Sequence, residues 1–225
     1  MICFGIDFLD FKGDVNMILD IIQTSKGLVT ADFIVKHGEK EIGSFSMEGS
    51  LLSIEAVIRG ILHDCPRFTM TRIKEVKSKE KEHFRPYIIL ELGKESGLIF
   101  QAEKKISLFK RYNFYEMRCF GNTYTMYAIG MGNKGGKMPI YCGDTQIAQI
   151  EKDCVVYNGL HNYKVYIEQN VPIKPIIWLC AYLYVTGQYT PGEKIISGKT
   201  KTISVTTNKL LKEKYNPKFT ENIRE

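Results

Sequence analysis

Hydrophobic and polar positions alternate along most of this chain, in short runs separated by turn residues. Ile2 to Leu9 alternates fairly well. Leu28 to Val35 and Glu41 to Ser46 flank His37 and Gly38, and Tyr87 to Leu92 and Leu98 to Ala102 flank Gly93 to Gly97. Each pair predicts a hairpin. The pattern then becomes dense, with runs at Phe114 to Phe120, Tyr124 to Met131, Met138 to Tyr141, Gln146 to Ile150, Cys154 to Tyr157 and Tyr163 to Glu168. The turns between them begin at Gly121, Gly132, Gly143, Lys152 and Asn158. Strands of period two with turns at this spacing predict an all-β sandwich or barrel.

One segment breaks the pattern. From Pro172 to Gly187 the chain reads PIKPIIWLCAYLYVTG. A helix here is apolar all round, through Ile176, Ile177, Trp178, Leu179, Cys180, Ala181, Leu183 and Val185. Such a helix must be buried on every side, in protein or in lipid. From Pro175 to Gly187 it would be about 20 Å long, short of the roughly 30 Å of a bilayer core. It is therefore predicted to be a core helix. Closed barrels of this size enclose something, and a helix within a β-can is a known solution. The expected fold is mainly β: a closed antiparallel barrel of about twelve strands around a hydrophobic helix near residues 174–187.

Three stretches are less regular. Ser50 to Leu62 (SLLSIEAVIRGIL) fits either period. It reads as a helix on the strength of a Glu55–Arg59 pair at i,i+4. Lys74 to Glu82 is a mixed-charge run, expected as a solvated loop. From about residue 190 the chain is polar. It offers a last strand at Thr202 to Thr206, a short helix at Asn208 to Tyr215, and exposed, frayed final residues. No composition shift separates two domains, so residues 1–225 are expected to form one.

The chain has 225 residues and a net charge of +6. Its 25 aromatic Tyr and Phe residues (13 and 12) suit pleated surfaces. The mild basic excess would attract phosphate groups or an anionic surface. The six cysteines show no CxxC spacing. With no basic leader before Asp7 and Asp10, they predict free thiols in a reducing, cytoplasmic setting.

Motifs for chemistry fail on inspection. Gly130 to Lys137 (GMGNKGGK) is not a Walker loop: the pattern needs glycine at 131, where Met131 stands, and Met138 replaces the magnesium-binding Ser or Thr. A glycine hairpin turn is the expected reading. His37, His63, His83 and His161 have no ligand spacing with cysteine, so no metal and no cofactor is predicted. His63, Asp64 and Cys65 form the single local nucleophile-type cluster, read as a loop. Glu80 and Glu82 sit among lysines and lack the burial that acid catalysis needs. No catalytic residue is assigned. The candidate binding residues are the basic ones: Lys104, Lys105, Lys110 and Arg111, interleaved with Phe109 and Tyr112, and joined by Lys134 and Lys137 if the hairpins stack. Basic clusters with aromatic tips suit a membrane surface or a nucleic acid.

The order of motifs from Tyr124 to Glu168 (Y-x-x-Y-x-I-G, a Gly/Lys hairpin, PIY, QIAQIEK, a tyrosine-rich strand), followed by the apolar helix, resembles the tubby C-terminal-like superfamily. Its bacterial branches and its LURP-one-related and scramblase relatives look similar too. The resemblance covers about residues 85–190. It implies a twelve-strand barrel around one hydrophobic helix, and binding of phosphoinositide headgroups through surface Lys and Arg. This chain departs from the eukaryotic members by continuing for nearly 40 residues past the helix. The sequence thus points to a non-enzymatic binding or scaffold module of the bacterial cytoplasm, peripheral to the inner face of the membrane and engaging anionic lipid headgroups. A small-molecule-binding or hydrolytic barrel and a nucleic-acid binder are the alternatives, with nucleic acid the weaker partner.

Overall fold

The computed structural model describes residues 15–51, 56–74, 84–107, 110–193 and 196–224, with only the backbone at 106, 107 and 110. The predicted strand Ile2 to Leu9, Cys3, Glu55, most of the charged run with Glu80 and Glu82, His83 and Phe109 lie outside the described residues.

A meander of nine strands comes first: β1 (Met17–Lys26), β2 (Thr30–His37), β3 (Lys40–Gly49), β4 (Ala56–Leu62), β5 (Phe68–Arg72), β6 (Phe84–Glu91), β7 (Lys94–Ser107), β8 (Lys110–Cys119) and β9 (Asn122–Met126). Then follow β10 (Ile129–Gly130), a 3-10 turn (Gly132–Lys134), β11 (Gly136–Cys142), β12 (Thr145–Lys152), β13 (Val155–Tyr157) and β14 (Asn162–Ile167). β9 pairs with β11, β12 pairs with β14, and β14 pairs with β1. Twelve antiparallel strands therefore close into one barrel, which leaves no free edge. β10 is an extra short neighbour of β11, and β13 leaves the wall to pair with β15 (Lys199–Lys201).

Alternation explains the wall. Leu19 and Ile21 of β1, Phe33 and Val35 of β2, Met117 of β8, Ile150 of β12 and Val165 of β14 belong to one core and are wholly or almost wholly buried. The core's centre is helix α1 (Ile173–Gly187), buried at every residue from Ile173 to Val185. Ile176, Ile177, Trp178, Leu179 and Leu183 all lie inside, as the absence of a polar face requires. Rings from the strands meet it around its circumference: Phe68 and Phe120 at Trp178, Tyr87 and Tyr115 at Tyr182, and Phe33 at Tyr184. At about 1.5–3 kcal/mol for each large apolar side chain removed from water, this helix is the main cohesive element. The tyrosine hydroxyls are satisfied: Tyr182 donates to the Arg85 carbonyl at 2.8 Å, and Tyr184 accepts from Gln23 at 3.2 Å. Lys174 is buried too, and its Nζ donates to Glu91 Oε1 at 3.1 Å.

The local expectations need four corrections. Ala56–Leu62 is strand β4, not the end of a helix. Ladders to β3 and β5 on both sides override the helical periodicity, and Arg59 pairs across the sheet with Glu48. The turn after β6 is only Leu92 and Gly93, so Gly97 lies within β7, opposite Cys119. Both turn residues have positive φ, as does the Phe120–Gly121 pair, which is the geometry of a two-residue primed hairpin. The last strand is Lys199–Lys201, while Thr202 to Thr206 makes only the single bridge Met131–Val205. Finally, the C-terminus is not frayed. After α2 (Lys209–Lys212), capped by Asn208, helix α3 (Phe219–Arg224) buries Phe219 and Ile223 against Tyr166 and Ile18 on the outside of the barrel.

Candidate functional site

The two ends of the barrel are built differently. At the end where α1 begins, the strands are joined by tight turns at 38–39, 92–93, 120–121 and 143–144. At the end where α1 finishes, the turn at 27–29 is short, but most connections are longer or overhang: 73–83, 127–135, 153–161 and the β7–β8 hairpin. Long connections on a rigid scaffold are where binding residues collect. This second end is called the mouth.

The inward rows of the wall change character at the mouth. In an antiparallel pair, directly opposed residues share a face. Gly97 opposes Cys119, Ile99 opposes Met117, Gln101 opposes Tyr115, Glu103 opposes Asn113 and Lys105 opposes Arg111. One row therefore runs from the apolar core into polar groups, and β7 and β8 carry it beyond the barrel rim. The inward row of β5 (Phe68, Met70) ends at Arg72. In β6 the ladder is interrupted by a bulge between Phe84 and Tyr87, which sets Arg85 at positive φ on the rim. These side chains border an open cleft of about 690 Å3, lined by Arg72, Arg85, Arg111, Gln101, Asn113 and Glu103, with Tyr112, Tyr115, Phe84 and Thr186 completing it.

The electrostatics are one-sided. Three guanidinium groups face one carboxylate. Glu103 pairs with Arg111 at 3.2 Å. Arg85 donates to the Thr186 carbonyl at 2.7 Å, so it caps the negative end of the α1 dipole. Arg72 has no carboxylate partner among the described residues. Burial pushes the Tyr115 hydroxyl above its ordinary pKa, against the lowering effects of its Thr186 hydrogen bond and of Arg85. It stays a neutral donor beside the arginines. The hairpin is held from behind: Tyr112 packs with Phe114 and Tyr127 at ring distances of 6.3 and 6.2 Å, and Asn208 donates to the Arg111 carbonyl. Guanidinium forks on rigid strands suit bidentate recognition of phosphate or carboxylate oxygens.

The structure divides the basic residues singled out by sequence. Arg111 lines the cleft, and Lys105 shares its face of the hairpin. Lys104 opposes Tyr112 and lies on the outer face. Lys110 pairs with Ser107 near the tip, and its side chain lies outside the described residues. Lys134 stands exposed in the 3-10 turn, and Lys137 is ion-paired with Glu151 at 2.8 Å. Neither Lys134 nor Lys137 borders the cleft. Arg72 and Arg85, absent from the sequence-based set, do. The signal for Arg72 was parity, since it ends a row whose other members, Phe68 and Met70, are apolar; Arg85 sits at a bulge, which the alternation does not mark.

The glycine loop 130–137 is a turn between strands, with Gly132 and Gly135 at positive φ. His63, Asp64 and Cys65 lie at the opposite end, around a cavity of only about 40 Å3 closed by Ile173 and Lys174. Among the described residues no group of three His, Cys, Asp or Glu side chains could hold a metal, and no helix is long and apolar enough to cross a membrane. Comparison with protein-family models, with curated proteins and with solved structures finds no match.

Proposed function

We propose that this chain is a tubby-like, non-enzymatic binding module that takes an anionic lipid headgroup at the barrel mouth. The observation that carries this reading is the convergence of Arg72, Arg85 and Arg111 on one open cleft with a single carboxylate. Its support in architecture is the twelve-strand barrel around one buried helix, which is what the family resemblance implies. On this reading Arg85 is the fixed donor, held by Thr186, while Arg72 and Arg111 close on phosphate oxygens. Lys104 and Lys105 on the overhanging hairpin add attraction to the surrounding anionic surface. The protein then acts at the inner face of a bacterial membrane, with no cofactor.

The test is co-sedimentation with phosphatidylcholine vesicles, with and without phosphatidylglycerol or a phosphoinositide. Each basic group near an anionic surface is worth about 1 kcal/mol. The double variant Arg72→Ala, Arg111→Ala should therefore bind anionic vesicles about thirtyfold more weakly, while Lys134→Ala changes little. Failure of the wild-type protein to pellet with anionic vesicles at low salt would reject the proposal.

A further inference from the structure

Across the mouth from the arginines, the inward rows of three neighbouring strands also end in polar residues. β12 ends in Lys152 after Ala148 and Ile150, β1 carries Gln23 after Leu19 and Ile21, and β14 is entered through His161 ahead of Tyr163 and Val165. Two cavities meet at Lys152. One, of about 230 Å3, lies between Lys152, the end of α1 at Leu183 and Gln188, and the returning chain at Thr202 and Ser204. The other, of about 540 Å3, is bordered by Lys152 together with Gln23, Asn133, Asn158 and Asn162.

The surroundings of the Lys152 amine are unusual for a lysine. Its Nζ donates to Gln188 Oε1 at 2.7 Å, and among the described residues no carboxylate pairs with it. Its neighbour His161 is neutral: burial first, then the charges of Lys152 and Lys26, push the imidazole down to about 4. Its Nδ1 is buried without a hydrogen-bond partner. Desolvation without a counter-charge favours the neutral amine, and burial brings Lys152 down to about 8. At pH 7 that leaves on the order of a hundredfold more free amine than an ordinary lysine has. Neutral amines at the edge of a cavity attack carbonyl carbon.

We infer that Lys152 is an imine-forming site for a small hydroxylated aldehyde. The amine nitrogen adds to the carbonyl carbon, and the carbonyl π electrons move to oxygen, which takes up a proton. The carbinolamine then loses water: the C–O bond breaks, the C=N bond forms, and the nitrogen gives up its proton. Amine plus aldehyde gives imine plus one water, and water reverses the reaction. Gln188 positions the amine. The amides of Asn133 and Asn162 supply donors and acceptors for hydroxyl groups, while that of Gln23 is held by Ser25, Tyr184 and His161. The site shares Tyr115 with the arginine cleft, but its amine and amide groups come from other elements and its ligand is neutral.

The test is trapping with cyanoborohydride at pH 7, using limiting glyceraldehyde or propanal on the full chain, followed by peptide mapping. Glyceraldehyde should modify Lys152 ahead of exposed lysines away from both cavities, such as Lys164 and Lys212, by tenfold or more. Lys152→Arg, which keeps the charge and a donor to Gln188, should lose that adduct while its unfolding midpoint stays close to wild type. Propanal, which lacks the hydroxyl groups, should react at Lys152 several-fold less, and Asn162→Ala should narrow the difference between the two aldehydes. Adducts spread over the exposed lysines with Lys152 unmodified would overturn the inference. Equal trapping of both aldehydes at Lys152 would overturn the assignment of a hydroxylated ligand.

Discussion

The buried ion pair between α1 and the wall gives a sharp energetic prediction. Lys174 and Glu91 each retain only 4% side-chain exposure and lie 3.1 Å apart. The ammonium also lies 5.0 Å from the Phe120 ring centre and 6.0 Å from that of Trp178. Changing Lys174 to Met keeps most of the side-chain volume and removes the charge. Glu91 is then left as a buried carboxylate without its cation. Breaking one partner of a buried pair costs about 3–5 kcal/mol, whereas replacing both with apolar groups of similar size is often neutral or stabilising. Lys174→Met should therefore lose about 3–5 kcal/mol. Glu91→Leu should also destabilise, because it takes the carboxylate from a buried ammonium. The double variant should fall within ~1 kcal/mol of wild type. The coupling between the two sites should then be several kcal/mol, well above the usual error of a cycle. Trp178 is the sole tryptophan and lies in the core, so urea unfolding followed by its fluorescence reads all four proteins with one probe. Two results would refute the reasoning: a single variant that loses less than ~1 kcal/mol, or a double variant whose loss equals the sum of the singles.

Two further outcomes follow from the packing and the mouth. A Cβ on Gly60 would stand 2.5 Å from the Phe68 ring and 2.8 Å from Phe45 Cβ; because Phe68 packs on Trp178, Gly60→Ala should cost about 1–3 kcal/mol by overpacking, read as a lower urea midpoint and a shifted Trp178 emission. His161 titrates near 4 when folded and near 6.5 when exposed, so the unfolded chain binds the proton first as pH falls. The stability present above pH 6.5 should be lost between pH 6.5 and 4. At about 1.4 kcal/mol per pH unit the loss is ~3 kcal/mol, reduced to ~2 by solvent access to the half-buried ring. His161→Gln should flatten urea midpoints across that window.

What the sequence made legible was whatever depends on local pattern. The absence of any polar face from Ile176 to Val185 requires burial on every side, which the axis of the barrel provides. Period-two runs located most of the strands. The misread stretch at Ala56–Leu62 shows the limit: Ile54 and Ile58 satisfy both periods, and only the ladders to β3 and β5 decide between them. The cleft was half legible. Arg111 stood out because basic residues cluster around it, but adjacency in sequence is misleading on a strand. Lys104 and Lys105 are neighbours on opposite faces, while Arg72 and Arg111 share a cleft across 39 positions of chain. Likewise α3 looked like a polar tail, because only Phe219 and Ile223 mark its buried side, and their partner Tyr166 lies in a distant strand.

The central claim, an anion taken up by arginines at the mouth, is tested most directly by following arginine Nε–Hε resonances while a soluble inositol phosphate is titrated in. The account predicts saturable shifts of Arg72, Arg85 and Arg111 with a common midpoint, and little change at Arg59, which is paired with Glu48 on the outer wall. Shifts confined to Arg59 or other outer-wall arginines, or no saturable shift at the mouth, would contradict it.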